Sequence, residues 1–183
     1  MRNERVKNMA VSAMIAALYL ALSLPFMTFN FGAVQLRVSE ALTLLPIFAP
    51  QSAVGLTVGC VLVNTMGAAT GMNVLGPLDI IIGSAATGIA ALMTWQLRQV
   101  RIKGLPIAAA IPPILVNGLV VGLELTLVLG GGWNWGFFAV CFAQVAVGEA
   151  IACLCLGVPL VTALERTGAA EAIFGKQKER ARG

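Results

Sequence analysis

Few residues in this chain can hold an ion or a polar ligand, and four of them are acids in or beside long apolar runs: Glu40, Asp79, Glu124 and Glu149. Ionisable groups at bilayer depth are costly and usually functional. Glu40 closes the stretch Gln35-Leu36-Arg37-Val38-Ser39-Glu40, which is polar at its head and runs into an apolar tail. On a helix, the spacing of Arg37 and Glu40 puts both on one face, within reach of each other. Asn117 and Glu124 are seven apart and also share a face. The amides Asn64, Asn117 and Gln144 suit either the edge of a heterocycle or bonds between helices. Trp133 and Trp135 fit an interfacial aromatic belt or stacking on a flat ligand. Gly130, Gly131 and Gly132 before them give that loop the freedom of a lid. The candidate binding residues are therefore Gln35, Arg37, Glu40, Asn64, Asp79, Asn117, Glu124, Trp133 and Trp135. Each acid also has a structural reading: pairing for Glu40, the positive end of a helix for Asp79, an interfacial place for Glu124, an interhelical hydrogen bond for Glu149.

The chemistry expected of such a set is recognition, not catalysis. The chain has no histidine, which removes the commonest acid–base group and metal ligand. Cys60, Cys141, Cys153 and Cys155 all lie in apolar runs, and the last two point to different sides of a helix, so packing is expected rather than a chelate or a disulfide. No H-E-x-x-H or G-x-S-x-G motif occurs. The phosphate-binding pattern fails as well: Gly175-Lys176 is followed by Gln177, and Ala170 stands where its first glycine would be. No metal or cofactor is expected, nor an enzyme. Uphill movement of a solute would need an ion gradient or a partner that hydrolyses ATP.

The elements that position these residues are read from hydropathy. Of 183 residues, 58% are hydrophobic and 11% charged, against about a quarter charged in soluble domains. Residues 8–36, 41–78, 80–97, 104–123 and 125–148 carry no charge, and roughly 20 apolar residues cross a bilayer. An all-α membrane protein follows, one integral domain over 1–183 with six spans at about 8–27, 36–48, 51–66, 78–97, 105–129 and 137–164. The second is short, and Pro112-Pro113 predicts a kink in the fifth. Thr28 to Val34 reads as a loop, and the chain from Thr167 as a frayed or short interfacial helix. The basic N-terminus resembles a signal peptide, but the run after it is too long and lacks a suitable cleavage site, so it reads as a retained first span.

Basic residues gather on the cytoplasmic side of membrane proteins. Arg2, Arg5 and Lys7 form one group, Arg98, Arg101 and Lys103 a second, and Arg166, Lys176, Lys178, Arg180 and Arg182 a third. Six spans place all three on one side, with both termini cytoplasmic and Arg37 alone outside. The outer loops then bring Gln35, Arg37, Glu40, Asn73, Asp79 and the tryptophans to one outer mouth. Ala13, Ala17 and Ala21 make a small-residue stripe on the first span, fit for packing within the chain or on a partner subunit; Gly55 and Gly59 make another on the third.

The stretch Gln35 to Leu42, the run Gly59-Cys60-Val61-Leu62-Val63-Asn64 and the segment Asp79 to Thr87 together resemble the QueT family, the substrate-binding S components of energy-coupling factor (ECF) transporters assigned to queuosine precursors. The resemblance implies a six-helix S-component bundle in a prokaryotic cell membrane, holding its ligand near the outer surface. It implies docking of the alanine stripe on a transmembrane coupling subunit, and two ATPase subunits that use the ATP. It implies as ligand a 7-deazaguanine, either aminomethylated or as queuine, with Asp79 or Glu40 on the base edge, Glu124 on the amine, and Arg37, Asn64 or Gln35 on O6. The alternative is an autonomous secondary transporter or channel for a small polar solute.

Overall fold

The computed structural model describes residues 2–31 and 35–175; Met1, Gly32 to Val34 and the basic residues of the tail from Lys176 onward lie outside the described residues. Among the described residues the elements are helical, apart from an isolated antiparallel bridge between Ile102 and Leu105. The α-helices are α1 (Arg2–Ser23), α2 (Met27–Asn30), α3 (Ser52–Ala69), α4 (Pro77–Gln96), α5 (Ile111–Leu129), α6 (Trp135–Ala150), α7 (Val158–Thr167) and α8 (Ala169–Phe174). A short 3₁₀ turn joins α1 to α2, so helix continues to Asn30 where a loop was expected from Thr28. Among the described residues, five helical stretches are long and apolar enough to cross a membrane: Glu4–Asn30, Ser52–Ala69, Pro77–Gln96, Ile107–Leu129 and Trp135–Thr167.

The stretch expected as the second span differs from these five. Val38–Ile47 is a 3₁₀ helix of 10 residues, and its residues from Ser39 to Ile47 are all buried. It nevertheless connects the two ends of the bundle. Arg37, at its start, meets Asp79 in the first turn of α4. Phe48, just after it, stacks on Phe174 of α8 with ring centroids 5.4 Å apart. A 3₁₀ helix rises about 2.0 Å per residue against about 1.5 Å for an α-helix. Wound this way the segment gains length from few residues, and protein rather than lipid surrounds it.

Three further irregularities have local causes. Pro112 and Pro113, expected within the fifth span, lie in the first turn of α5, after a 3₁₀ turn over Ile107–Ala110, where a missing N–H costs nothing because it has no intrahelical partner. The sixth expected span runs from Trp135 to Thr167, with a π-helical stretch at Ile151–Gly157 that packs on the 3₁₀ helix. Gly157 permits that packing: a Cβ there would lie 2.9 Å from the Ala41 carbonyl oxygen.

Helices α1 and α3 run side by side in the same direction. Gly55 lies against Ser12, and Gly59 against Tyr19, where an added Cβ would sit 2.8 Å from the tyrosine Cβ. The glycine stripe of α3 thus serves packing inside the chain, as small residues do where no hydrophobic force drives helices together. Ala13, Ala17 and Ala21 are exposed on the outer face of α1. The end of the bundle opposite Asp79 is tied by Arg101 and Glu165 (3.3 Å and 2.5 Å) and by Gln51 and Asn8 (3.1 Å). The core is apolar around Tyr19, Ile15, Leu44, Leu56 and Val63.

Candidate functional site

Above that core the bundle encloses a polar cluster. The extended backbone at Arg37 precedes the 3₁₀ helix rather than joining it. Its side chain therefore leaves the face carrying Glu40 and reaches across to α4. The Arg37–Glu40 pair that helical spacing allows does not form; Arg37 Nη2 lies 3.1 Å from Asp79 Oδ2, both side chains at most 6% exposed. The guanidinium also covers the Phe31 ring at 5.3 Å, and its Nε donates to the Asn30 carbonyl at 3.5 Å. Asn73 Nδ2 donates to the same Asp79 Oδ2 at 2.8 Å. Asn64 Nδ2, near the end of α3, donates to the Asp79 carbonyl at 2.8 Å. A Cβ at Gly83 would collide with Asp79 Oδ1, so glycine one turn on leaves room for the carboxylate.

Glu40 takes a different partner. The Tyr19 hydroxyl donates to its Oε1, anchoring the 3₁₀ helix to the inner face of α1. One turn further along α1, Ser23 Oγ donates to Ser39 Oγ at 2.7 Å. Across the bundle, Asn117 Nδ2 of α5 donates to Glu149 Oε1 of α6 at 2.9 Å. The Cys153 thiol approaches the Glu40 carbonyl at 3.7 Å and Glu149 Oε2 at 4.0 Å, and so lies between the two acids.

Glu124 stands apart. It is 3% exposed, yet neither carboxylate oxygen has a hydrogen-bond partner. It interacts electrostatically with Asp79 and Arg37. Other buried oxygens are also open: Glu40 Oε2, Asp79 Oδ1, Asn64 Oδ1, Asn117 Oδ1, Asn30 Oδ1 and Ser52 Oγ. Buried polar atoms normally find partners. Here oxygen acceptors remain open on residues drawn from the 3₁₀ helix, α3, α4 and α5, so the arrangement suits a guest that supplies hydrogen-bond donors.

Of the residues singled out from sequence, Arg37, Glu40, Asn64, Asp79, Asn117 and Glu124 are buried in this region, and Gln35 is buried next to it, its carbonyl against Gly148. Trp133 and Trp135 are not in the cluster. They are 47% and 72% exposed and meet each other edge to face at 4.9 Å, with Phe138 beside them. Asn134 caps α6, its Oδ1 accepting from the Phe137 N–H at 3.0 Å. Sequence reasoning brought Asn73 to the outer mouth and weighed Glu149 among the acids without naming either a binding residue, and it missed Tyr19. Tyr19 is the single tyrosine of the chain and shares a helical face with Ser12 and Ser23, a polar stripe inside an apolar run that marks it.

Five long apolar helices among the described residues, with a buried polar cluster between them, define a multi-pass membrane protein. Residues 9–166 match the family model for the QueT transporter, and the chain belongs to that family. No curated protein and no solved structure matches it. Its role is accordingly transport.

Proposed function

We propose that the chain is the substrate-capturing S component of an ECF-type importer, and that it takes up a 7-deazaguanine queuosine precursor from the outer face. The observation that carries this reading is the set of open, buried acceptor oxygens on Asp79, Glu40, Glu124, Asn64 and Asn117. A guanine-type edge offers adjacent N–H donors that a carboxylate accepts in pairs, and an aminomethyl group adds further donors. Leaving such acceptors unmatched inside a dry site is costly, which favours this ligand over look-alikes without the donors. The basic residues Arg98, Arg101 and Lys103 at the opposite end of the bundle support, by the positive-inside rule, a cytoplasmic position for that end and an outer one for the cluster.

The chain supplies no ATP chemistry in this reading; a coupling subunit and two ATPases do, with the exposed Ala13, Ala17 and Ala21 face as the contact. Purified protein titrated with 7-aminomethyl-7-deazaguanine in a calorimeter should bind at about 1 µM or tighter, an affinity near 8 kcal/mol. Silence across deazaguanines, together with binding of an unrelated vitamin, would overturn the ligand. Uptake into liposomes holding this chain alone, driven by an ion gradient, would favour a secondary transporter.

A further inference from the structure

We infer that the end of the bundle opposite Asp79 holds an anionic phospholipid headgroup, gripped by its phosphate in a cavity beside Arg98; the inference is independent of what the outer cluster binds. A cavity of about 570 Å³ lies there, walled by Phe48, Arg98, Arg101, Glu165, Glu171 and Phe174. Pockets for small ligands and cofactors commonly measure about 300–1,000 Å³.

Arg98 is the group in it with donors to offer. Half-buried, its guanidinium lies 4.5 Å from the centre of the Trp95 ring, and Nη1 donates to the Trp95 carbonyl at 3.0 Å. These two contacts fix the plane of the group. Its Nε and Nη2 have no acceptor among the described residues. An arginine held flat with one edge open presents the fork of N–H groups that matches two phosphate oxygens. Arg101, in contrast, is committed: two of its nitrogens donate to Glu165 at 3.3 Å and 2.5 Å, so that pair adds no net charge. Lys7 reaches the same cavity at its Gly175 wall, where a Cβ would lie 3.4 Å from Nζ. Among the described residues, neither Lys7 nor Arg98 has a carboxylate within ion-pair distance, and Glu171 has no cation. Two uncommitted cations thus face one uncommitted acid. That balance favours a ligand with net negative charge whose head also carries hydroxyl donors for Glu171. Phosphatidylglycerol has both. Position favours a lipid over a free phosphate. Arg98 follows directly on the apolar span Pro77–Gln96, and Met93 and Val100, on either side of it in the chain, are exposed. Acyl chains therefore have a lipid-facing surface beside the cavity, and basic pockets at the ends of spans suit anionic headgroups.

The test equilibrates the purified full chain in detergent with equimolar phosphatidylglycerol and phosphatidylcholine and identifies the retained lipid by native mass spectrometry. Wild type should keep a single phosphatidylglycerol, preferred by about tenfold. Arg98→Gln should reduce that preference to below about threefold. Arg98→Lys keeps the charge but loses the fork and the stack, and should fall between the two. Glu165→Gln should act in the opposite direction: with Arg101 released, the preference should rise by about threefold or more, which misfolding would not produce. Equal retention of both lipids by wild type would overturn the inference, as would an undiminished preference in Arg98→Gln. A preference lost only in Lys176→Gln/Lys178→Gln/Arg180→Gln/Arg182→Gln would overturn it too, by moving the phosphate contact to the tail. Displacement of the lipid by inorganic phosphate would overturn it in favour of a soluble anion. None of these outcomes bears on binding of a deazaguanine.

Discussion

Asp79 shows how the site is kept ready. Its Oδ2 holds Arg37 and Asn73, its backbone carbonyl holds Asn64, and its Oδ1 is free. Removing one member of a buried ion pair leaves the other uncompensated, typically at about 3–5 kcal/mol. Arg37→Met should therefore lower the melting temperature of the purified protein more than the double variant Arg37→Met/Asp79→Leu, as thermal denaturation will read. Gly83→Ala makes a gentler probe. Its methyl group would displace Asp79 Oδ1, so ligand affinity should fall by about tenfold or more while stability changes by about 1–3 kcal/mol. The sequence made the acids visible because ionisable residues are rare in apolar runs. It could not show their partners. Helical spacing put Arg37 within reach of Glu40, but the extended backbone at Arg37 breaks the helix that spacing assumes, and Asp79 and Tyr19 come from elements distant in the chain.

Among the elements, two irregular helices lie against each other: the 3₁₀ helix Val38–Ile47 and the π-helical Ile151–Gly157. Each holds or adjoins a site acid, Glu40 in one and Glu149 just before the other. Runs of 3₁₀ longer than a few residues are uncommon, and π-turns concentrate at functional sites. Their close approach depends on Gly157 against Ala41 and Gly148 against the Gln35 carbonyl. Gly148→Ala should thus destabilise the protein by about 1–3 kcal/mol through overpacking, with weaker ligand binding as Gln35 and its neighbours shift; thermal denaturation with and without ligand separates the two effects. Apolar runs located the five long helices well, because burial or lipid demands them. They marked 36–48 as a short apolar helix but not its 3₁₀ winding, since hydropathy reports how apolar a segment is and not its rise per residue. The proline pair was legible, but its consequence depended on where α5 begins, which composition does not reveal.

At the level of the molecule, the inner face of α1 joins the buried polar cluster through Tyr19 and Ser23, while its outer face offers Ala13, Ala17 and Ala21 to the surroundings. One helix thus has both the site and the proposed docking surface. Ala17→Trp should leave ligand binding by the isolated chain within about twofold, since exposed substitutions away from a site cost little. It should abolish ATP-driven uptake when coupling subunit and ATPases are present. Full uptake by that variant would move the docking surface elsewhere. Topology is checked by single cysteines introduced at Trp135 and Lys103 in a background without the native four. An impermeant thiol reagent should label the first from outside intact cells and the second only after permeabilisation.

The 3₁₀ leg also works as a ruler. Its ten residues span the interval between Arg37, locked to α4, and Phe48, stacked on α8, and a stretched coil holds no slack. Inserting one alanine within 38–47 should unseat one anchor or the other and abolish capture of the ligand. The same insertion at Gly131 and Gly132, which take positive φ in an exposed turn, should pass almost unnoticed.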